Sequence, residues 1–275
     1  MKKMLLSLAV VLGSTALYAQ NAPAESDTAK INLPNVDIWV ISKVDTSSTS
    51  SADTIPSIDE PSGPDKDALT HWGGLDLGVN MLLNADGGTD MASGNEWLEM
   101  DVARSGSVRL NLFESKIRIV KDYVGLVTGV GFTWNKYAFK NNIVMSSNGD
   151  STFAATDSVI NYSKNSLRAT YVQVPLMVEF NTSEDPERTF HLAAGVIGGW
   201  KIGSRYKQYY DYEGKEYKSY VKDDYNLNPL TLDATARIGY RNLTLWATYG
   251  LTSLFEKDKG PEVYPVSVGL TVVPF

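Results

Sequence analysis

Apolar residues alternate with small or polar residues in eight separate runs in the second two thirds of the chain. In one of them, Val172, Val174 and Leu176 share a face that opposes Gln173 and Pro175. A period of two residues is typical of β-strands, and no helical period competes with it. The sequence therefore predicts an all-β fold. The runs cover residues 74–83, 108–112, 124–134, 172–180, 190–201, 232–239, 243–250 and 266–272.

The face opposite the apolar residues determines the kind of β-protein. It is dominated by glycine and small polar residues, which favours the crowded lumen of a narrow closed barrel. A lipocalin-like barrel is the alternative, but its exterior would be polar, whereas here the more apolar face points outward. Aromatic residues near the ends of the runs fit two interfacial girdles. They are Trp72, Tyr123, Trp134, Tyr137, Phe180, Phe190, Trp200 and Tyr240.

The connectors between the runs alternate in length. They are 84–104 (long), 114–122 (short), 140–166 (long), 181–188 (short), 204–229 (long), 241–242 (tight) and 252–262 (intermediate). Outer-membrane barrels have long extracellular loops and short periplasmic turns. Residues 71–275 are therefore predicted to form an eight-stranded antiparallel transmembrane β-barrel with both termini in the periplasm. Pro175 lies inside a run, so we expect a β-bulge there.

Two segments precede the barrel. Lys2 and Lys3 followed by an apolar stretch and Ala19 predict a signal peptide over residues 1–19. Residues 20–70 are rich in Ser, Thr, Pro and acidic residues, which predicts a flexible acidic periplasmic linker and a candidate attachment site for a periplasmic partner. Within it, residues 36–41 are apolar, and either a short docking strand or chance explains them.

Composition excludes several classes of function. The 275 residues contain no cysteine, which excludes a disulfide scaffold, a thiolate metal site and a cysteine nucleophile. The net charge of −7 argues against nucleic acid as a partner. The signal segment carries +2 and residues 25–67 carry −6, which leaves −3 for the barrel. A mean hydropathy of −0.18 fits a barrel because only alternate residues meet lipid.

Four segments resemble the PorT-like outer-membrane β-barrel family of Gram-negative bacteria. They are residues 123–139, 171–179, 189–207 and 236–268, and the resemblance extends over residues 71–275. It implies an eight-stranded outer-membrane barrel and supplies no catalytic residues. One branch of the family is tied to protein secretion, but no motif in this chain carries that role over.

Candidate catalytic groups are few. His71 and His191 are the two histidines, and we expect them to be an interfacial residue and a buried, hydrogen-bonded lumen residue. No metal-ligand cluster or phosphate loop appears, so no catalytic, cofactor-binding or metal residues are assigned. A lipid-modifying enzyme is an alternative, but it would need a Ser–His pair facing lipid.

Six charged residues fall in the inward phase of the strands. We expect them to form a paired network that fills the lumen, because unpaired charges there would be costly. Ion conduction is the alternative, together with small-solute transport or assistance to protein secretion. The six are Asp76, Arg109, Glu179, Lys201, Asp233 and Arg237.

The loop 206–225 is the most distinctive feature, with seven of the fifteen tyrosines and four lysines. We favour a hairpin that extends two barrel strands past the membrane, with tyrosines packing across the pair. The alternative is a binding surface for a ligand outside the cell. The sequence thus predicts a non-enzymatic barrel embedded in outer-membrane lipid, with a structural role or a binding role through its outer loops.

Overall fold

The computed structural model describes residues 28–33, 36–41 and 69–273, and the side chains of 69–272. All its long elements are strands, which confirms the predicted all-β class; residues 96–98 and 102–104 form single turns of 3-10 helix. The strands are β1 (Thr28–Leu33), β2 (Val36–Ile41), β3 (Gly74–Asn84), β4 (Gly106–Val120), β5 (Val124–Ala138), β6 (Ile143–Ser147), β7 (Thr152–Thr156), β8 (Tyr162–Asn181), β9 (Phe190–Tyr212), β10 (Lys215–Val221), β11 (Leu230–Tyr240), β12 (Leu243–Gly250) and β13 (Val263–Val273).

Eight strands form a closed antiparallel ring. Its order is β3-β4-β5-β8-β9-β11-β12-β13, and β13 pairs with β3 to close it. Apart from the closing pair β13–β3, each strand of the ring pairs with the next ring strand along the chain. Strands β6, β7 and β10 lie in the connectors and are not part of the ring. The prediction of an eight-stranded antiparallel barrel is confirmed.

The connectors separate the barrel into two unequal ends. Residues 121–123, 182–189 and 241–242 join strands at what we call the turn end. Residues 85–105, 139–161, 213–229 and 251–262 join them at the loop end. The predicted alternation of long and short connectors is confirmed. The chain enters β3 and leaves β13 at the turn end.

The predicted inward and outward phases are also confirmed. On β3, Leu77 and Val79 face outward and are 43% and 39% exposed, whereas Asp76 and Asn80 are fully buried inside. β4 runs eight residues further than the predicted run, and a register shift between Asn111 and Phe113 changes its phase. This bulge turns Lys116 inward, a position that simple alternation does not identify.

Two of the eight predicted girdle aromatics are not on the outer surface. Trp72 and Tyr137 are 0% and 1% exposed and lie inside the barrel, so their assignment to a girdle is wrong. Tyr137 falls in the inward phase of β5, and Trp72 precedes β3 and belongs to a small apolar cluster with Val127, Met177 and Ile197. The other six aromatics are exposed on the outer wall.

The prediction of a β-bulge at Pro175 is wrong. Pro175 pairs with Ile197 of β9 without a register shift, and the register between β5 and β8 is the same on both sides of it. Pairing with β5 is only interrupted there, where the hydroxyl of Thr128 donates a 2.9 Å hydrogen bond to the Pro175 carbonyl. The missing N–H is thus accommodated without an extra residue.

In the other described part of the chain, β1 and β2 pair antiparallel, with Ile31 opposite Ile38. The apolar segment 36–41 is therefore a strand, and residues 28–33, expected to lack regular structure, form its partner. Two residues separate the strands, a spacing that suits a hairpin. Residues 1–27, 34–35, 42–68 and 274–275, which include the predicted signal peptide and most of the predicted linker, lie outside the described residues.

Candidate functional site

The interior of the barrel near the turn end contains a bidentate ion pair. Arg237 on β11 donates to both carboxylate oxygens of Asp76 on β3, at 2.9 and 3.1 Å, and both side chains are almost fully buried. Thr271 and Asn111 donate further hydrogen bonds to the same carboxylate. A buried charge is tolerated when it is paired and its remaining lone pairs are satisfied, and this one meets both conditions.

A second buried pair joins Lys116 of β4 to Glu179 of β8, with 3.1 Å between the ammonium nitrogen and a carboxylate oxygen. The Lys116 ammonium also donates to the carbonyl oxygens of Leu69 and Asp122, at 2.7 and 3.1 Å. All three of its donors are therefore used. Asn181 and the His71 backbone N–H complete the contacts of Glu179.

The two histidines lie together beside this pair. Their rings are stacked, with centroids 3.6 Å apart and planes 10° apart. Nδ1 of His71 is 3.5 Å from the Glu179 carboxylate, and Nε2 of His191 is 2.9 Å from the hydroxyl of Thr244. The expectation for His191 is confirmed, whereas His71 is an interior residue. Gly239 makes room for the cluster, because a Cβ there would lie 2.4 Å from Nε2 of His191.

The segment that precedes β3 is held inside the turn end by hydrogen bonds. One oxygen of Glu114 accepts from the hydroxyl of Thr70 and from the backbone N–H groups of Trp72 and Gly73, at 2.5, 3.1 and 2.6 Å. Residues 69 and 70, which the sequence places in the linker, therefore belong structurally to the barrel. A neighbouring pocket of about 240 Å³ is lined by residues that include His71 and Thr244.

Arg109 lies in the middle of the lumen. It donates a 2.7 Å hydrogen bond to Thr248, and its guanidinium carbon is 4.3 Å from the centre of the Trp246 ring. Arg109 and Asp233 line one cavity of about 30 Å³, together with Tyr171 and Gln173. A cavity of this size has room for about two water molecules.

The last inward cation is paired with a residue outside the ring. Lys201 of β9 contacts the carboxylate of Asp224 and the carbonyl oxygen of Leu227, both in the connector that follows β10. Of the six predicted lumen charges, only Asp76 and Arg237 form an ion pair with each other. Glu179 and Lys201 use Lys116 and Asp224, which lie in segments that the sequence assigns to connectors.

The loop end contains a large apolar cluster. Side chains from the inward faces of the strands meet side chains from the long loops, and all of them are buried. Leu98, Ile143, Leu227 and Phe255 come from the four different connectors at this end. Ile143 lies in the hairpin β6–β7, which is part of the connector 139–161. The loops are therefore packed on one another and on the upper barrel wall.

The tyrosine-rich loop forms a hairpin, as expected, but its arms differ from the prediction. β9 continues to Tyr212 and pairs with β10, which is separate from barrel strand β11, while β8 extends along the other side of β9. Glu213 and Gly214 both have positive φ at the tip, as a tight hairpin requires. Tyr210 stacks on Tyr217 at 5.4 Å. The tyrosines do pack across the pair.

Among the ionisable groups of the loops, Asp157 and Tyr225 have shifted pKa values. Backbone N–H groups of Ile160 and Val159 and the hydroxyl of Tyr162 donate to Asp157, and these hydrogen bonds lower the pKa of its carboxyl. Burial raises the pKa of Tyr225 to about 12.

A closed ring of strands with an apolar outer face, a charged interior and alternating loop lengths defines a membrane-spanning β-barrel of the outer-membrane type. The model of the outer membrane protein beta-barrel domain matches residues 74–256, and the chain belongs to this family. A search of curated proteins finds no match. The narrower PorT-like assignment stays a prediction.

Within residues 28–33, 36–41 and 69–273, no helix is long and apolar enough to cross a membrane. The same residues contain no group of three or more His, Asp or Glu side chains that could hold a metal ion. Sequence reasoning missed three partners of the interior groups. Glu114 and Lys116 lie at the turn end, and Asp224 is an exposed residue outside the ring that pairs with Lys201. For Lys116 the signal was the Phe113 position, where two apolar residues follow each other and the alternation slips by one.

Proposed function

We propose that the protein is a non-enzymatic outer-membrane barrel whose lumen is closed by side chains and whose outer loops have a structural or a ligand-binding role. The closed lumen rests on two buried ion pairs, Arg237–Asp76 and Lys116–Glu179, which join strands across the interior. The apolar cluster under the loops supports it from the other end. A path for ions would have to pass both.

Single-channel recording of the full chain in planar bilayers tests the closed lumen. We expect no stable conductance steps from the wild-type protein. The double variant Asp76→Ala/Arg237→Ala removes one ion pair without changing the net charge of the interior, and it should produce a measurable leak if it retains heat-modifiable gel mobility. Large, stable steps from the wild-type protein would overturn the proposal in favour of ion conduction or small-solute transport.

The non-enzymatic role is supported by where the histidines lie. An enzyme acting on lipids would need its nucleophile and base at the lipid boundary. Thr244 and His191 are 3% and 0% exposed and face the interior. Purified protein incubated with phospholipid vesicles should release no fatty acid, and hydrolysis that is lost in the His191→Ala variant would contradict this role.

The loop lengths support an orientation that we propose here. We place the turn end and both termini in the periplasm, after removal of residues 1–19, with the linker available to a periplasmic partner. Protease added to intact cells should cut within residues 139–161 or 213–229 and leave a tag at the C-terminus untouched. Cleavage of the tag instead would reverse the orientation.

A further inference from the structure

Three cations stand side by side on the outer wall of the barrel. Lys136 of β5 is the cross-strand partner of Arg168 of β8, and Arg168 is the partner of Arg205 of β9. Partners in a sheet point to the same side, and the residues flanking each of them, Tyr137, Leu167 and Tyr206 among them, face inward and are buried. All three cations therefore point away from the lumen.

Further cationic residues lie next to these three, toward the loop end. The Lys136 ammonium donates a 2.6 Å hydrogen bond to the carbonyl oxygen of Arg104, which brings a fourth cationic residue beside the row. Lys207 lies on the same face, two residues beyond Arg205, and Lys164 is the partner of Tyr209 one step further up. We call Lys136, Lys164, Arg168, Arg205 and Lys207 the basic row.

Among the described residues, no carboxylate lies within ion-pair distance of any member of the basic row. The ammonium groups of Lys164 and Lys207 lie 5.0 and 4.6 Å from the centre of the Tyr209 ring, and these contacts leave their charges without a counterion. The nearby acidic residues Asp101 and Glu216 pair with Arg104 and Lys218 instead, at 3.5 and 3.6 Å. Like charges directly opposite each other destabilise a sheet. In addition, Nε of Arg168 is buried without a hydrogen-bond partner. The arrangement favours an anion bound from outside the chain.

The position of the basic row indicates where that anion comes from. Trp134 precedes Lys136 by two residues on the same face, and Trp200 lies below Arg205 on β9; both are exposed on the outer wall. Outward aromatics mark the boundary between hydrocarbon and headgroups. The basic row begins one step beyond that boundary, at the level of the lipid headgroups.

We propose that the basic row binds the phosphate groups of anionic lipids in the leaflet that surrounds the loop end. Arginine side chains match phosphate oxygens in a bidentate geometry, and the lysines add charge around them. The inference goes beyond the proposed function, since it does not depend on whether the lumen is closed. Only the assignment of this leaflet as the outer one rests on the proposed orientation.

Fluorescence quenching tests this proposal on the full chain. The protein is reconstituted into phosphatidylcholine vesicles that contain phosphatidic acid, with the bromine label on the acyl chains of one lipid or the other. Trp134 and Trp200 lie beside the basic row and report which lipid is next to them. We expect stronger quenching by brominated phosphatidic acid than by brominated phosphatidylcholine.

The variant Arg168→Gln/Arg205→Gln removes the centre of the basic row. We expect the relative affinity for phosphatidic acid to fall by about fivefold for each cation removed, which corresponds to about 1 kcal/mol per charge near a membrane surface. The matched control, Lys121→Gln/Arg188→Gln, removes two cations at the turn end whose side chains pair with Glu184 and Asp185. The control should keep the preference.

Three results would overturn the proposal. One is equal quenching by the two lipids in the wild-type protein, and another is an equal loss in the control variant. The third is full displacement of phosphatidic acid by free inorganic phosphate, which would identify a site for a soluble anion. If the double variant lacks heat-modifiable mobility, Lys136→Gln and Lys207→Gln are tested singly. None of these results bears on conductance, so the proposal of a closed lumen is tested independently.

Discussion

The two ends of the barrel are stabilised in different ways, although the same eight strands run through both. At the turn end the interior contains buried charges that each need a particular partner, such as Lys116 with Glu179. At the loop end the interior contains an apolar cluster that includes Leu98 and Leu227. The stability that a buried ion pair provides depends on the position of both partners, whereas the stability from apolar contacts depends on how well the volume is filled. Substitutions at the two ends should therefore lower the free energy of unfolding by different amounts.

The largest effect should come from breaking a charge pair at the turn end. Lys116→Met leaves Glu179 buried without its cation and should lower the free energy of unfolding by about 3–5 kcal/mol. Urea unfolding in detergent micelles measures it. The double variant Lys116→Met/Glu179→Gln should recover most of the loss, and the exposed Lys121→Met should cost less than about 1 kcal/mol. A stable Lys116→Met single variant would contradict the role of this pair.

A smaller effect is expected from the apolar cluster. Leu98→Ala removes a fully buried side chain and should cost about 2–3 kcal/mol, at the low end for such changes because surrounding loops can adjust. The loss should appear as faster proteolysis of the loop end, since that end can open locally without unfolding the ring. Leu251→Ala, at an exposed position, is the control. Loss of the heat-modifiable barrel band would show that the ends are not independent.

The hairpin that rises above the loop end should matter still less to stability. Replacing residues 209–218 by Asn-Gly would join Gln208 to Ser219, which are cross-strand partners, through a two-residue turn. The unfolding free energy should change by about 1 kcal/mol or less, because the removed residues pair only with one another and with the end of β8, outside the closed ring. Urea unfolding checks this, and a drop as large as that of Lys116→Met would contradict it.

The smallest effect concerns pH at the loop end. The pKa of Asp157 is lowered in the folded protein, so its contribution is present above the unfolded value near 3.8 and is lost as pH falls through the folded pKa. The protection factors of the Val159 and Ile160 amides, which compare their exchange with that of an unfolded chain at the same pH, should therefore fall in acid. Asp157→Asn should weaken this pH dependence. Protection factors that fall in acid by the same amount in the variant would assign the effect to another group.

The sequence predicts the ring, the strand faces and the loop lengths well because each depends on local alternation. It fails where one residue breaks the period. The bulge near Phe113 hides Lys116, and the connector after β10 hides Asp224. The stacking of His71 on His191 joins residues 120 positions apart and follows only from ring closure. Site geometry at the turn end therefore lay beyond the reach of a pattern with period two.

One pair of glycines has a consequence for assembly. Gly78 of β3 and Gly269 of β13 are cross-strand partners at the seam where the first and last barrel strands meet. A Cβ on Gly78 would lie 2.7 Å from the indole ring of Trp246, and a Cβ on Gly269 would lie 2.6 Å from it. The slot that holds this ring is therefore bounded by both strands. The slot is complete only when the seam is formed. Trp246 is thus a built-in reporter of closure, and its emission should be the last tryptophan signal to reach its native value as the chain folds into a membrane.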